Sequence, residues 1–168
     1  DYIVEDRGQT RVLVGSISED DVKDFVRSGD VMIGSDGNSV APYGTTGQGK
    51  PHPRFYGTFA RVLGQYARDE ELLPLHTALW KMTGASARAL GLKDRGVLRA
   101  GNAADITIFD PVTVAERATY DDPHQFAAGI DQVIVNGVTV LRDGEHTGAL
   151  AGRTLRRQTD FHAPVAAV

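Results

Sequence analysis

Val31-Met32-Ile33-Gly34-Ser35-Asp36-Gly37 is the stretch on which the reading of the fold turns. Its first four residues form a short apolar run, and a turn pair closes it, which is the signature of a brief buried strand. Just upstream, Ser18-Glu19-Asp20-Asp21 sets a capping serine before three acids. Acids there suit the positive end of a helix dipole. Val22, Phe25 and Val26 then recur at the spacing of one helix face, and Ser28-Gly29-Asp30 ends the pattern. Earlier still, Arg11-Val12-Leu13-Val14-Gly15 reads as another short strand. Strand, helix and strand in close succession predict a βαβ unit with parallel strands.

Downstream of Asp36 the pattern breaks. Gly37, Pro42, Gly44, Gly47, Gly49, Pro51 and Pro53 leave no hydrophobic period across residues 36–53. A loop of that length in a compact domain is usually functional or disordered. This one follows the C-terminal end of an expected parallel strand, where α/β folds place their ligands. A helical period returns from Thr58, with Phe59, Val62, Leu63 and Tyr66 on one face. A second helical stretch is expected from about Pro74 to Leu90, striped by Leu75, Ala78, Leu79 and Met82 and punctuated by Gly84. Gly91 suits its C-cap. The chain then turns to β patterning. Ala104-Asp105-Ile106-Thr107-Ile108-Phe109 alternates, and Asn136-Gly137 between two β-branched runs predicts a two-residue hairpin of type I′. The tail from Gly148 carries little pattern, and its Arg153, Arg156 and Arg157 read as surface charges.

Bulk properties narrow the class. The 168 residues suffice for one domain or parts of two. A net charge of -4 with no Lys/Arg run speaks against nucleic acid as a partner. No apolar run approaches the ~20 residues of a membrane span, so no membrane association is expected. With no cysteine, neither a disulfide framework nor a thiolate metal site can form within the chain. Asp1-Tyr2-Ile3-Val4-Glu5-Asp6 lacks the basic-then-apolar order of a signal peptide and a starting Met. A cytoplasmic location is expected, for a chain that is a fragment or a processed product.

Few residues offer chemistry. Asp36 sits where the apolar run ends. Asp-Gly is a common turn pair, and a turn is the plainer reading. The alternative is a carboxylate at the lip of a barrel strand, placed to bind a metal or to take a proton from metal-bound water. His52 stands between two prolines in an extended segment, and Arg54 can present a planar fork to a carboxylate. Taken alone, each reads as an ordinary surface residue. His76 and Trp80, four apart on a helix, are expected to pack, because no acid or second histidine accompanies them. His124, His146 and His162 fall in expected loops, and nothing in the sequence groups them. Tyr43, Phe55 and Tyr56 either line a pocket or anchor the loop.

Longer stretches carry a resemblance. Val31-Met32-Ile33-Gly34-Ser35-Asp36-Gly37, His52-Pro53-Arg54-Phe55-Tyr56-Gly57-Thr58-Phe59 and Arg61-Val62-Leu63-Gly64 resemble the D-aminoacylase (N-acyl-D-amino-acid deacylase) family of the amidohydrolase superfamily. Lys81-Met82-Thr83, Ala87-Arg88-Ala89-Leu90-Gly91-Leu92, Asp94-Arg95-Gly96, Gly101 and Ala104-Asp105 look like the superfamily's C-terminal signature. Gly129-Ile130, Val135-Asn136-Gly137, Gly144 and His146-Thr147-Gly148 are similar to its final strands. The resemblance implies an α/β fold: the C-terminal portion of a (β/α)8 metal-dependent hydrolase barrel plus part of a small β-sandwich. Residues 1–95 would supply the last barrel strands and helices, with a substrate loop at 37–53. Residues 96–168 would supply the β-domain's C-terminal share and the tail. The implied reaction is hydrolysis of an N-acyl-D-amino acid to a carboxylate and a D-amino acid, with zinc as cofactor in the complete enzyme.

By match of motif, Asp36 corresponds to the family's strand-eight aspartate, a general base near the metal. Arg54 corresponds to the arginine that holds the substrate's α-carboxylate, with His52 beside it. The loop between them resembles a mobile lid, longer here than in some members. The family's early His-x-His, its Cys and its two later histidines do not appear, and Asp36 cannot replace the three protein ligands of a catalytic zinc. The chain alone is expected to be inactive. It is also expected to expose apolar surface that either the missing N-terminal part or self-association would cover. Two alternatives stand beside this reading. One is a dihydroorotase- or hydantoinase-like cyclic amidohydrolase, against which Gly57-Thr58-Phe59 argues. The other is a non-catalytic, β-rich interaction module.

Overall fold

The structure, a computed structural model, describes residues 2–5, 7 and 14–156. A single turn, α1 (Tyr2–Glu5), precedes α2 (Glu19–Arg27). The Ser18 side chain caps α2 as its sequence requires, accepting the Asp21 N–H at 3.1 Å. Val26 is the buried residue of its inner face. A 3-10 turn at Gly44–Gly47 interrupts the long loop, and α3 (Arg54–Arg61) follows. It runs without a break into a π-helical stretch, Val62–Asp69. Then come α4 (Leu75–Met82) and α5 (Gly84–Leu90), the latter closed by Gly91 in the left-handed conformation. The Lys23–Glu70 ion pair, 2.8 Å, links α2 to the end of the π-helical stretch.

The second half is an antiparallel sheet in the order β1-β2-β3-β4. Its strands are β1 (Ile106–Phe109), β2 (Ile130–Val135), β3 (Val138–Arg142) and β4 (Glu145–His146). The β2–β3 connection is the expected two-residue turn, with φ of 49° at Asn136 and 82° at Gly137. The two halves meet on Val114, which is fully buried. It shares one core with Val62, Leu63, Tyr66, Ala67, Leu73 and Ala78, flanked by Phe109 and Ile130. The approach is close: a Cβ added to Gly64 would stand 2.4 Å from the Val114 carbonyl oxygen. The π-helical stretch can lie against this segment only because that position lacks a side chain.

Several expectations change. Residues 31–34 enter no β-ladder among the described residues, and the partner strand expected at residues 11–15 lies largely outside them. They keep a strand's period, burial alternating from Val31 to Asp36. One cross-chain bond steadies them, from Ile33 N–H to the Lys81 carbonyl at 3.2 Å. Of the earlier strand, residues 11–13 lie outside the described residues, and Val14 and Gly15 form no ladder. The helix expected from Thr58 begins at Arg54, because Pro53 already has helical angles (φ −51°, ψ −29°) and its missing N–H costs nothing in a first turn. The helical stretch expected from about Pro74 to Leu90 and punctuated by Gly84 is two helices, parted at Thr83, whose angles (φ −127°, ψ −88°) are not helical. The Trp80 ring occupies the space beside Gly84 at that break. Trp80 is otherwise half exposed and His76 exposed, so neither packs in the core. In the tail, Arg153 and Arg156 are exposed, while Arg157 and His162 lie outside the described residues.

Candidate functional site

The residues that bracket the long loop come together at its neck. Arg54, at the first position of α3, reaches back to Asp36. Its Nη2 lies 2.9 Å from Asp36 Oδ2, and its Nε donates to the Asp36 carbonyl oxygen at 3.1 Å. One guanidinium edge thus holds both the side chain and the backbone of the aspartate. Asp36 has φ of 50°, a left-handed conformation uncommon for a residue other than glycine. The Ser35 hydroxyl accepts the Gly37 N–H at 3.1 Å, completing the bend. The Asp36 side chain is 88% exposed and that of Arg54 41%, so both remain accessible to a ligand.

His52 works from below. Its Nδ1 accepts the Arg54 backbone N–H at 3.0 Å, satisfying a donor that the first turn leaves open. Its Nε2 lies 3.0 Å from the Tyr120 hydroxyl, with the two rings edge-on. Because Nδ1 is an acceptor here, the proton of the neutral ring sits on Nε2 and points at Tyr120. Burial, then the positive charge of Arg54, push the His52 pKa below 6.5, which favours that neutral form.

A cleft of ≈ 290 Å³ opens beside these residues, lined by His52, Arg54, Thr58, Arg61, Glu116 and Tyr120 among others. Its inner wall is a polar network. Arg61 Nη2 donates to both Glu19 carboxylate oxygens at 3.0 and 3.1 Å. Arg61 Nε donates to the Tyr66 hydroxyl at 3.1 Å, and that hydroxyl donates to Glu19 at 2.8 Å. Burial, reinforced by the hydrogen bond to Glu19, pushes the Tyr66 phenol up to about 12. Burial also raises the Glu116 carboxyl, against the opposing charge of Arg61. Arg61 is therefore committed to neighbours within the fold, and Arg54 is the arginine of this cleft with donors to spare.

Sequence reasoning missed His124 as a member of this region. It was one of three ungrouped histidines, yet its Nε2 lies 2.8 Å from the Gly49 carbonyl and its Nδ1 3.0 Å from the Tyr56 hydroxyl. Tyr120, Glu116 and Arg61 were missed likewise. No spacing pattern signals them, because they come from the β1–β2 connection and from the far end of α3. Of the aromatic residues, Tyr56 anchors the loop through His124, Phe55 lies near the Arg54 guanidinium at 5.8 Å, and Tyr43 is mostly exposed. Among the described residues no group of three or more His, Cys, Asp or Glu is gathered as a metal site would require. Asp36 is a single possible ligand, and the described residues do not by themselves fit a catalytic zinc.

Helices followed by an antiparallel sheet make this a chain of mixed α/β architecture, with an aspartate–arginine pair at the neck of its long loop. The profile described as the Amidohydrolase family matches residues 1–141, and the chain belongs to that family. It is 50% identical over 141 residues to a D-aminoacylase of Alcaligenes xylosoxydans xylosoxydans, a match covering 84% of this chain and 28% of that protein. A crystal structure of D-aminoacylase superposes with a TM-score of 0.77 at 48% identity, covering 84% of this chain and 28% of that one. The N-acyl-D-glutamate deacylase of Bordetella bronchiseptica, solved with zinc and a phosphonate inhibitor, gives a TM-score of 0.68 at 42% identity, over 77% and 26% of the two chains. The chain thus spans little more than a quarter of the length of these relatives.

Proposed function

We propose that this chain is the C-terminal part of a zinc-dependent amidohydrolase that hydrolyses N-acyl-D-amino acids to a carboxylate and a free D-amino acid. The observation that carries the reading is the Arg54–Asp36 contact, which sets a carboxylate-binding fork against a basic group at the neck of one loop. Relatives named for this chemistry support it. Arg54 spends Nε and one Nη2 donor on Asp36, and its remaining N–H groups can take the α-carboxylate of a substrate. Asp36 then stands beside the scissile amide. As general base its carboxylate takes a proton from the attacking water and returns it to the departing amine nitrogen.

The finer architecture belongs to the same proposal. Residues 1–95 supply the end of a (β/α)8 barrel, and residues 96–168 part of a small β-domain. The unladdered run 31–36 fits a barrel strand whose neighbours lie outside this chain. Exposed Phe25, Met32, Phe59, Trp80 and Leu98 then lie under the rest of the protein or a second copy. The ligands of the zinc come from elsewhere in the intact protein, and no step through the metal is derived from this chain.

The test is zinc content and hydrolysis of N-acetyl-D-methionine by the intact protein. Asp36→Asn is expected to lower kcat by about 10²–10⁴. Arg54→Ala is expected to raise KM about tenfold or more and to reduce discrimination against the α-carboxamide of the same substrate. An intact protein that binds zinc but cleaves only cyclic amides would overturn the reading.

A further inference from the structure

We propose that Tyr120 and His124, both on the connection between β1 and β2, are positioning residues that brace the substrate loop and hold Arg54 in place. This rests on the deacylase reading for its substrate and on geometry for the brace itself. His124 is bonded at both ends of its ring. The Gly49 carbonyl can only accept, so His124 Nε2 donates to it, and Nδ1 is left to accept the Tyr56 hydroxyl. Gly49 belongs to the loop and Tyr56 to the first turn of α3, two residues past Arg54. One imidazole therefore ties loop and helix to a third segment. Phe126 adds an edge-on contact to Tyr56 at 5.9 Å.

Tyr120 makes the second tie. Its hydroxyl meets His52 Nε2, and His52 Nδ1 in turn fixes the Arg54 backbone N–H. From Tyr120 to the Arg54 main chain there are thus two hydrogen bonds and one rigid ring. Tyr120 is 61% exposed, so core packing does not account for its place. The β1–β2 connection is itself anchored: Val114 is fully buried, and Ala115 and Ala128 exchange backbone bonds at 3.3 and 2.9 Å. A brace with a fixed base and two side chains reaching the loop sets where the guanidinium stands. Its loss should therefore appear in binding of the α-carboxylate before it appears in the chemical step.

The experiment uses the intact protein with Tyr120→Phe, His124→Phe and His124→Gln. The first removes only a hydroxyl from an exposed ring and is not expected to affect folding. The last keeps a donor for Gly49. Two readouts are taken: amide hydrogen exchange across residues 38–53, and kcat and KM for N-acetyl-D-methionine and its carboxamide. Expected are faster exchange confined to the loop in Tyr120→Phe and His124→Phe, KM for the carboxylate substrate raised about tenfold with kcat little changed, and substantial recovery in His124→Gln. Unchanged loop exchange in both Phe variants overturns the brace. So does an equal loss on both substrates with exchange raised throughout the molecule. If the wild-type protein cleaves neither substrate, the deacylase reading falls, and the exchange arm still decides the brace.

Discussion

Two Asx-Gly pairs, Asp36-Gly37 and Asn136-Gly137, look alike in sequence and have different roles in the structure. Each begins with a left-handed residue, φ of 50° and 49°, and each is held by an arginine. Asn136 is engaged on every side. Its Oδ1 accepts from Arg95 at 2.9 Å, its backbone N–H donates to Asp105 at 2.7 Å, and its Nδ2 donates to the Ala151 carbonyl at 2.7 Å. Arg95 also pairs with Asp105, and only 12% of its side chain is exposed. The hairpin demands this turn, and the network locks it. No hairpin demands the bend at Asp36, and Arg54 holds it in the open, with most of the carboxylate exposed. Backbone strain that no local element requires, at an accessible carboxylate, is consistent with the role proposed for Asp36.

The largest test of that contrast removes the two arginines in turn. Arg95→Ala takes a guanidinium that is only 12% exposed away from the Asn136 amide oxygen and from the more accessible Asp105 carboxylate, which keeps the Asn136 N–H. It is expected to lower the stability of the intact protein by about 1–2 kcal/mol. Arg54→Ala removes an ion pair with a largely exposed partner and is expected to cost less than about 1 kcal/mol, while substrate affinity falls. Urea or thermal unfolding of the two variants makes the comparison. Equal losses of stability would erase it.

Next in size are the paired glycines. Gly137 has φ of +82° and open space around it, so Gly137→Ala should cost roughly 1 kcal/mol of backbone strain. Gly37 is not in that region, but a Cβ there would stand 3.0 Å from Phe55 Cα. Gly37→Ala pushes on the first turn of α3, which carries Arg54. It is expected to change stability by under about 0.5 kcal/mol and to raise KM, the reverse of Gly137→Ala. Unfolding midpoints alongside kinetics distinguish the two.

How far the sequence could be read follows the same division. The capped helix at Ser18, the hairpin at Asn136-Gly137 and the left-handed close at Gly91 are local devices, and each stands where its residues place it. Asp36 and Arg54 could be picked out as candidates, and their pairing confirms that the loop ends meet. The run 31–34 could not be settled, because a strand exists only with its neighbours, and it has no ladder partner among the described residues. The π-helical stretch Val62–Asp69 lies against Val114 through Gly64, and the Trp80 ring lies beside Gly84 at the break, contacts that periodicity does not register. His124 and Tyr120 act across 68 residues of chain, on Tyr56 and His52 respectively, and no local spacing could reveal them.

The smallest expected effect is also the most specific. His52 lies beside Arg54, and its pKa is below 6.5 first because of burial and then because of that neighbouring charge. Removing the charge in Arg54→Ala should move the His52 titration, followed by NMR, upward but leave it short of 6.5, since the burial remains. Arg95→Ala should leave it unmoved. The sign of the stability effect follows. A histidine whose pKa is depressed on folding favours the folded loop above pH 6.5, and that contribution is lost as pH falls through the lower folded value. Protonation at Nδ1 removes the acceptor for the Arg54 N–H, so acid should loosen the neck of the loop before it disturbs the hairpin. If amide exchange at Arg54 and at Asn136 rises together on acidification, the two Asx-Gly bends are not independent, and the distinction between a locked turn and a poised one fails.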